Sequence, residues 1–413
     1  MEEIKFALDT FYAVMAGALV MWMAAGFTML EAGLVQKKDV SEIVTKNIGL
    51  YSIACIMYLV CGFMVMYPGD ATIISGVLPK FSTASLALST SLPNEEIGIP
   101  YGMDYSQQAD FFFQVVFVAT AMSIVSGAVA GRMKLVPFFL FAVVLTGVIY
   151  PIQGYWNWGE GFLNAMGYSD YAGSGTVHLC GAAAALAVAL VLGARKGKYA
   201  EDGTSLPMPG SNIPMAALGV WILWLGWFGF NGGSELAIAS EGSAIAVSQV
   251  FLNTNMAASG GVVAAILISL ILTGKMDVTM AMNGAIAGLV AITANPLDPS
   301  AGSAVLIGAA GGLLVYFSIL FFDKKLKIDD PVGAISAHGI VGILGVMVVP
   351  LSSSEASLLP QFIGVISIAG FTFIASLVTI LVINKFIPIR ASDEEQYEGL
   401  DKSEIGVEAY PEF

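Results

Sequence analysis

Two histidines are the residues of this sequence best suited to chemistry in an apolar environment. His178 and His338 are the only histidines of the chain, and each follows a glycine, Gly173 or Gly333, by five residues. A neutral imidazole both donates and accepts a hydrogen bond, so two imidazoles that face each other can share a proton and bond a small polar solute. We therefore take this pair as the leading candidate for a site in a narrow pore.

Two other roles for the histidines are weaker. Either ring can simply satisfy a hydrogen bond between packed helices, which is the ordinary role of an isolated histidine in a membrane helix. A metal site would lack ligands, because the sequence places no pair of carboxylates or thiolates nearby, and Cys180 falls on the wrong side of a helix relative to His178. Cys55, Cys61 and Cys180 have neither CxxC spacing nor an even number, which disfavours disulfides. No metal and no cofactor is expected.

Aromatic residues collect at the ends of two apolar segments. Trp227-Phe-Gly-Phe-Asn-Gly-Gly-Ser234 ends one segment, and Tyr155, Trp156 and Trp158 end another on the same side of the predicted membrane. A single aromatic residue at this depth is most often an interfacial anchor. Gathered at a pore mouth, however, an indole face and a hydroxyl such as that of Ser234 can hold a small cation.

Asp170 lies just before the segment that contains His178. At this position its carboxylate can cap the helix and satisfy the free N–H groups of the first turn. This structural role is favoured over direct contact with a solute.

Charge-free segments long enough to cross a membrane must position these residues. The chain has 413 residues, of which 57% are hydrophobic and 12% charged, and its mean hydropathy is +0.80. Soluble proteins carry about 25% charged residues, so this composition excludes an ordinary cytosolic enzyme. A span needs roughly 20 apolar residues, and eleven segments free of Asp, Glu, Lys and Arg meet this length: 10–30, 47–69, 111–131, 135–159, 171–194, 203–234, 242–274, 278–297, 299–322, 331–354 and 356–384. The sequence therefore predicts an all-α integral membrane protein with eleven transmembrane helices.

The basic residues predict its orientation. Fifteen of the seventeen lie in connections that follow odd-numbered segments or in the tail, whereas Lys5 and Lys80 lie on the other side. Because basic residues accumulate in cytoplasmic connections, we expect an outside N-terminus and a cytoplasmic C-terminus. The N-terminus lacks the basic region of a signal peptide, so the first segment is expected to remain in the mature protein.

An odd number of spans permits an inverted repeat. Spans 1–5 and 6–10, over about 8–198 and 210–350, are the expected inverted halves, with an eleventh span at about 356–387. His178 and His338 then lie in the last helix of each half, and such repeats usually place their site at the interface between the halves. Small-residue runs such as 308–312 predict close helix packing.

The remaining residues form an acidic tail. We divide the chain into a membrane domain, 1–390, and a cytoplasmic tail, 391–413. Residues 393–413 contain eight acidic residues and one lysine, which gives −7 of the total net charge of −14. This acidity argues against nucleic acid and against an anionic lipid surface as partners of the tail.

Four motifs in this order resemble the ammonium transporter (Amt/Rh) family, and the Amt type in particular. They are Asp170-Tyr-Ala-Gly-Ser-Gly-Thr-Val-His178, Trp227 to Ser234, Asp329-Asp-Pro-Val-Gly-Ala-Ile-Ser-Ala-His338-Gly and Glu398-Gly-Leu-Asp401. The resemblance implies a multi-pass protein of the plasma membrane that forms a homotrimer with one pore in each subunit. It also implies that a PII signalling protein is a plausible partner at the cytoplasmic face.

The resemblance further implies the roles of individual residues. Trp158, Ser234 and Phe117 are expected to form an outer site that recruits ammonium, and Phe117 and Phe230 a gate below it. Ammonium would lose its proton near the gate and cross as ammonia past His178 and His338, with net uptake of charge. Methylammonium is left open as a second substrate.

Two alternatives remain beside transport. The protein can be an ammonium sensor that signals through its tail with little flux, although the short tail contains no kinase, GTPase or cyclase-like segment. An enzyme is disfavoured, because the sequence contains no HExxH or GxSxG motif and no paired intramembrane carboxylates.

Overall fold

The protein folds as a bundle of long apolar helices. A computed structural model describes residues 2–88 and 105–411. In this part of the chain nine helices are long and apolar enough to cross a membrane, and two apolar helices are shorter. In chain order the helices are α1 (Glu2–Leu34), α2 (Lys37–Met66), α3 (Gln107–Val129), α4 (Leu135–Ala165), α5 (Ser174–Leu192), α6 (Ile213–Gly233), α7 (Glu241–Thr273), α8 (Val278–Thr293, short), α9 (Ala301–Leu326), α10 (Ile335–Leu351, short) and α11 (Leu358–Phe386).

These helices confirm the predicted all-α membrane fold. Nine of the eleven charge-free segments correspond to the long helices, and 278–297 and 331–354 correspond to α8 and α10. The exact number of spans, the inverted relation of the halves and the outside N-terminus stay predictions. Part of the predicted 1–390 domain, at residue 1 and at 89–104, lies outside the described residues.

The two short helices lie inside the bundle. A helix rises about 1.5 Å per residue, so the 16 residues of α8 extend about 24 Å, less than the roughly 30 Å of hydrocarbon in a bilayer. The side chains of α8 are buried from Met282 onward, and α8 packs against the first turns of both α5 and α10. Because they are surrounded by protein, α8 and α10 need not match the thickness of the lipid.

Small residues set the distance between the outer helices. The helix α1 packs along α6, and α7 packs along both α8 and α9. A Cβ atom added to Gly308 of α9 would lie 1.9 Å from the carbonyl oxygen of Ala257 in α7. Only glycine permits two backbones to approach this closely. Such close packing stabilises helix pairs in lipid, where the hydrophobic driving force between helices is absent.

Several helices contain a wide π-helical turn, in which the backbone accommodates one extra residue. Within α2, α4, α5, α9 and α10 these turns are Tyr58–Gly62, Leu145–Ile149, Ser174–Leu179, Phe322–Leu326 and Ile335–Ile340. Both histidines lie in such a turn. The connection after α2 forms a small antiparallel hairpin of β1 (Thr72–Ile74) and β2 (Leu78–Pro79).

The acidic tail folds back onto the membrane domain. It contains a short helix, α12 (Asp393–Glu398), and a final π-helical turn, Asp401–Ile405. Glu395 pairs with Lys134 at 2.7 Å, Asp393 pairs with Lys196 at 2.6 Å, and Lys38 donates to backbone carbonyls of α12. The tail therefore contacts the first turn of α2 and the connections after α3 and α5, and we call this side the tail face. Of the predicted tail 391–413, residues 412 and 413 lie outside the described range.

Candidate functional site

The two histidines meet in the centre of the bundle. The Nδ1 atoms of His178 and His338 lie 3.2 Å apart, and the rings stack with their centroids 5.1 Å apart at an angle of 27°. Both side chains are buried. A hydrogen bond at this distance requires that one Nδ1 carries a proton and the other accepts it. The two Nε2 atoms then have opposite character, one an acceptor and one a donor.

Each histidine is positioned by an aspartate at the start of its helix. Oδ2 of Asp170 accepts hydrogen bonds from the backbone N–H groups of Gly175 and Thr176 at 3.0 and 2.8 Å, and from the hydroxyl of Thr176 at 2.9 Å. Before His338, the carboxylate of Asp330 accepts from the N–H groups of Gly333 and Ile335 at 3.1 and 2.7 Å. Each carboxylate thus caps the first, π-helical turn and fixes the direction of the histidine.

The electrostatic state of the two caps follows from their burial. Burial raises the pKa of Asp170 above the ordinary value, and the hydrogen bonds from Thr176 and Gly175 oppose this shift. Burial likewise raises the pKa of Asp330, opposed by the backbone hydrogen bond from Ile335. At both caps the hydrogen bonds thus favour the ionised carboxylate and burial disfavours it.

Aromatic rings cover the histidine pair on one side. His178 stacks on Trp227 and on Phe230, with centroids 5.0 and 5.3 Å away. Phe230 in turn packs on Phe117, with centroids 4.1 Å apart. The indole N–H of Trp227 donates to the hydroxyl of Thr293 at 2.8 Å, which fixes the ring that supports His178. The two phenylalanine rings close the path to the histidines on this side.

A pocket of about 490 Å³ opens above the phenylalanine pair. Its lining includes Phe117, Trp158 and Ser234. The rings of Phe117 and Trp158 meet edge to face at 6.0 Å, and the indole N–H of Trp158 donates to the carbonyl oxygen of Asp170. Because it lies at the ends of α2, α4 and α6, opposite the tail face, we call it the mouth pocket.

Two cavities lie on the other side of the histidines. A small one of about 10 Å³, which we call the histidine cavity, is lined by His338, Glu31 and Asn283 among others. A larger one of about 410 Å³ at the tail face, the tail-side pocket, shares Asn283 and Val332 with it. The mouth pocket, the phenylalanine pair, the histidine pair and these two cavities thus follow one another through the bundle.

The structure brings the sequence-predicted site residues together. Phe117 and Trp158 line the mouth pocket with Ser234, Phe117 contacts Phe230, and Phe230 contacts His178, although these residues come from four helices. Sequence reasoning missed Asp330 as a cap, although it lies eight residues before His338 just as Asp170 lies eight residues before His178. It also missed Glu31, which lies one residue beyond the first charge-free segment.

The family follows from comparison of the whole sequence. The sequence model described as Ammonium Transporter Family matches residues 11–410. The chain belongs to the ammonium transporter family. It is 36% identical over 442 residues to ammonium transporter Amt2 of Archaeoglobus fulgidus, covering 100% of this chain and 90% of that protein. It is 32% identical to an ammonium transporter of Bacillus subtilis, covering 97% and 98% of the two chains.

Solved structures agree with this family assignment. A structure described as a sensor Amt protein superposes with a TM-score of 0.88 at 33% identity, covering 98% of this chain and 100% of that one. Mep2 of Candida albicans superposes with a TM-score of 0.81 at 24% identity, covering 96% and 89%, which supports the fold. The chain is therefore a multi-pass membrane protein of the ammonium transporter family, as its motifs predicted.

Proposed function

We propose that this protein carries ammonium across the membrane and that His178 and His338 line the path. In this proposal ammonium enters the mouth pocket, where Trp158, Ser234 and Phe117 hold it. It loses its proton near the gate of Phe117 and Phe230 and passes the histidines as ammonia. The observation that carries the proposal is the buried contact between the two imidazoles directly behind the paired phenylalanine rings.

The need for deprotonation comes from the energetics of burial. Moving an ion of this size from water into a medium of low dielectric constant costs on the order of 20 kcal/mol in the idealised case. The path past Phe117 and Phe230 is lined by closely packed rings that offer a cation little compensation. Neutral ammonia avoids most of this cost, because it carries no net charge.

The histidine pair suits ammonia because of its mixed hydrogen-bonding character. One imidazole of the pair presents an acceptor nitrogen and the other a donor N–H, as required by the bond between their Nδ1 atoms. Ammonia has three donor hydrogens and one lone pair, so it can bond both types of group. We propose that the same bonded pair supplies a path for the separated proton, so that transport moves net charge.

Electrical recording tests this proposal. An ammonium pulse on liposomes that contain the purified protein should give a current, and a sodium pulse should not. Replacing both histidines, His178→Ala with His338→Ala, should abolish the selective current. The variant Ser248→Ala removes an exposed hydroxyl on α7 and serves as a control for purification and reconstitution. An unchanged, selective current in the double variant would contradict the assigned role of the histidines.

A second candidate function is sensing. The solved structure described as a sensor Amt protein covers nearly the whole chain at 33% identity, and the folded tail offers a route from the bundle to the tail face. A sensor would bind ammonium and change the exposure of the tail with little flux. Counting ammonium ions moved per protein molecule in the liposome experiment separates these functions, because a carrier turns over many times and a sensor does not.

The proposal also covers the location of the protein, its oligomeric state and its partners. We propose that it lies in the plasma membrane as a homotrimer, with the tail face in the cytoplasm, where a PII signalling protein can dock. Ammonium is the proposed substrate, with methylammonium as a second one. Mass measurement of the detergent-solubilised protein tests the trimer, and competition of methylammonium with the ammonium current tests the second substrate.

A further inference from the structure

The histidine cavity contains two buried oxygen atoms that lack a donor. Among residues 2–88 and 105–411, Oε1 of Glu31 and Oδ1 of Asn283 have no hydrogen-bond partner. Both residues line this cavity together with His338. Buried acceptors without partners are costly and rare, so the cavity favours a guest that donates hydrogen bonds.

The carboxyl group of Glu31 is held in place through its other oxygen, Oε2. Oε2 accepts from the hydroxyl of Ser126 at 2.7 Å and from the amide of Asn47 at 3.3 Å. Nζ of Lys46 lies 3.9 Å from the same oxygen. These partners come from α2 and α3 and all lie on one side of the carboxyl group, which leaves Oε1 for a guest.

The charges around Glu31 favour a cation. The buried cluster contains the carboxyl groups of Glu31 and Glu42 and the ammonium group of Lys46, which lies 3.7 Å from Oε1 of Glu42. One lysine therefore faces two carboxyl groups, and all three side chains are almost completely buried. An unbalanced buried charge is strongly unfavourable, so a cation or a proton must compensate it. Across the cavity the titratable group is His338.

The size of the cavity limits the guest to one small ion. Its volume of about 10 Å³ is room for about one water-sized molecule. Ammonium has this size, carries a positive charge and has four N–H donors but no acceptor, which complements two free acceptor oxygens. Water can fill the space, but it then leaves the compensation of the excess negative charge to a proton.

We propose that Glu31 and Asn283 form an inner ammonium-binding site between the histidine pair and the tail-side pocket. This inference rests on the proposed transport function and extends it, because it places a cation site at the second end of the path. In it, the nitrogen species that has passed His338 is held as ammonium before it enters the tail-side pocket. The outer and inner sites then stand on opposite sides of the uncharged segment of the path.

Sided transport measurements test the inner site. In liposomes with a single orientation, verified by protease access to the tail, Glu31→Gln should raise the half-saturating ammonium concentration at the tail face about tenfold, as expected for loss of a charge-assisted hydrogen bond. The value at the mouth pocket should change less than about twofold, since that pocket keeps its residues. Asn283→Asp adds a charge to the site and should lower the half-saturating concentration at the tail face.

Glu42→Gln is the matched control. It also neutralises one carboxyl group beside Lys46, but Glu42 does not belong to the lining of the histidine cavity. Because Glu42 contributes to the excess negative charge but not to the lining, this variant should raise the half-saturating concentration at the tail face less than Glu31→Gln does, and it should leave the value at the mouth pocket unchanged. If Glu31→Gln and Glu42→Gln behave alike, or if Glu31→Gln shifts both sides equally, Glu31 is a structural ion-pair partner and the inference is wrong.

A binding measurement separates this inference from the transport proposal. Crystals soaked in thallium(I), a monovalent ion with a radius close to that of ammonium, should show anomalous density between Glu31 and Asn283. Glu31→Gln should remove this density. Ammonium current without inner density, or an ordered water in its place, overturns the inner site alone. Inner density in a protein that gives no ammonium current supports the site and overturns the transport proposal.

Discussion

Asp170 and Asp330 occupy equivalent positions, each eight residues before a histidine and each bonded through its carboxylate to N–H groups in or just before the turn that contains that histidine. The two carboxylates thus have the same structural role. They hold the starting turns of α5 and α10 in the orientation in which His178 and His338 meet.

We expect Asp170→Ala and Asp330→Ala to lower stability and transport together. Each change leaves buried N–H groups without an acceptor, at a cost of about 1–3 kcal/mol per group left unpaired. Asp170→Ala should have the larger effect, since Asp170 also accepts from the hydroxyl of Thr176. Unfolding in detergent measures the free energy, and the Asn variants, which keep one acceptor oxygen, should lose less. Alanine variants as stable as the unchanged protein would contradict the capping role.

The hydroxyl of Thr293 is expected to support the histidines through Trp227. Thr293→Val removes the acceptor of the buried indole N–H of Trp227, which should cost about 1–3 kcal/mol and reduce the ammonium current. Thr293→Ser keeps the hydroxyl and should retain both the stability and the ammonium current. If the Val and Ser variants have the same current, the orientation of Trp227 does not govern the path.

Glycine packing predicts that the same substitution, glycine to alanine, changes stability very differently in α9 and in α11. Gly308→Ala would place a Cβ atom 1.9 Å from the carbonyl oxygen of Ala257, so α7 and α9 must separate, and we expect a loss of several kcal/mol. Gly370→Ala in α11 is the control, because apart from its chain neighbours and the nearby backbone of its own helix no described atom lies within 4 Å of its added Cβ, and it should be neutral or stabilising by up to about 1 kcal/mol. Unfolding midpoints of the two variants in the same detergent check this contrast, and equal midpoints would refute it.

We expect low pH to destabilise the fold at the tail face, because Asp329 becomes protonated. Burial opposes its ionisation, but hydrogen bonds and charge from Arg195 and Arg132 outweigh burial and hold the pKa of Asp329 below its usual range. Because the unfolded value is about 3.9, this ion pair stabilises the protein fully above about pH 5, and the contribution is lost as the pH falls below about 4. Unfolding midpoints between pH 7 and pH 3 should therefore decline less in Asp329→Asn than in the unchanged protein. Parallel declines would assign the acid sensitivity to other groups.

The membrane fold was predictable because the bilayer imposes a simple rule on composition. A segment that crosses lipid must be long and free of charge, so each charge-free segment corresponds to an apolar helix. The same rule explains the missed Glu31. A search for uncharged segments ends where a charged residue begins, and it carries no information on a carboxylate buried against Lys46 from another helix.

The site was predictable in part. Two histidines at matching positions, with matching glycines, indicated a pair, and the family motifs indicated Phe117, Phe230, Trp158 and Ser234. The direction in which each side chain points was not predictable, since it depends on wide turns that distort the helical repeat. The contacts of the tail with α2 and with the connections after α3 and α5 were not predictable either, because they join residues more than 190 positions apart.

The π-helical turns at the start of α5 and α10 make the site sensitive to the number of residues in these turns. A regular helix advances about 100° per residue, and the extra residue in each wide turn shifts the angular phase of everything that follows it. Deleting a single residue between Ser174 and His178 would restore a regular helix and rotate one imidazole away from its partner, even if every other residue were kept. The meeting of the two rings is thus sensitive to chain length as well as to composition, and in these two turns insertions and deletions should be tolerated less than substitutions.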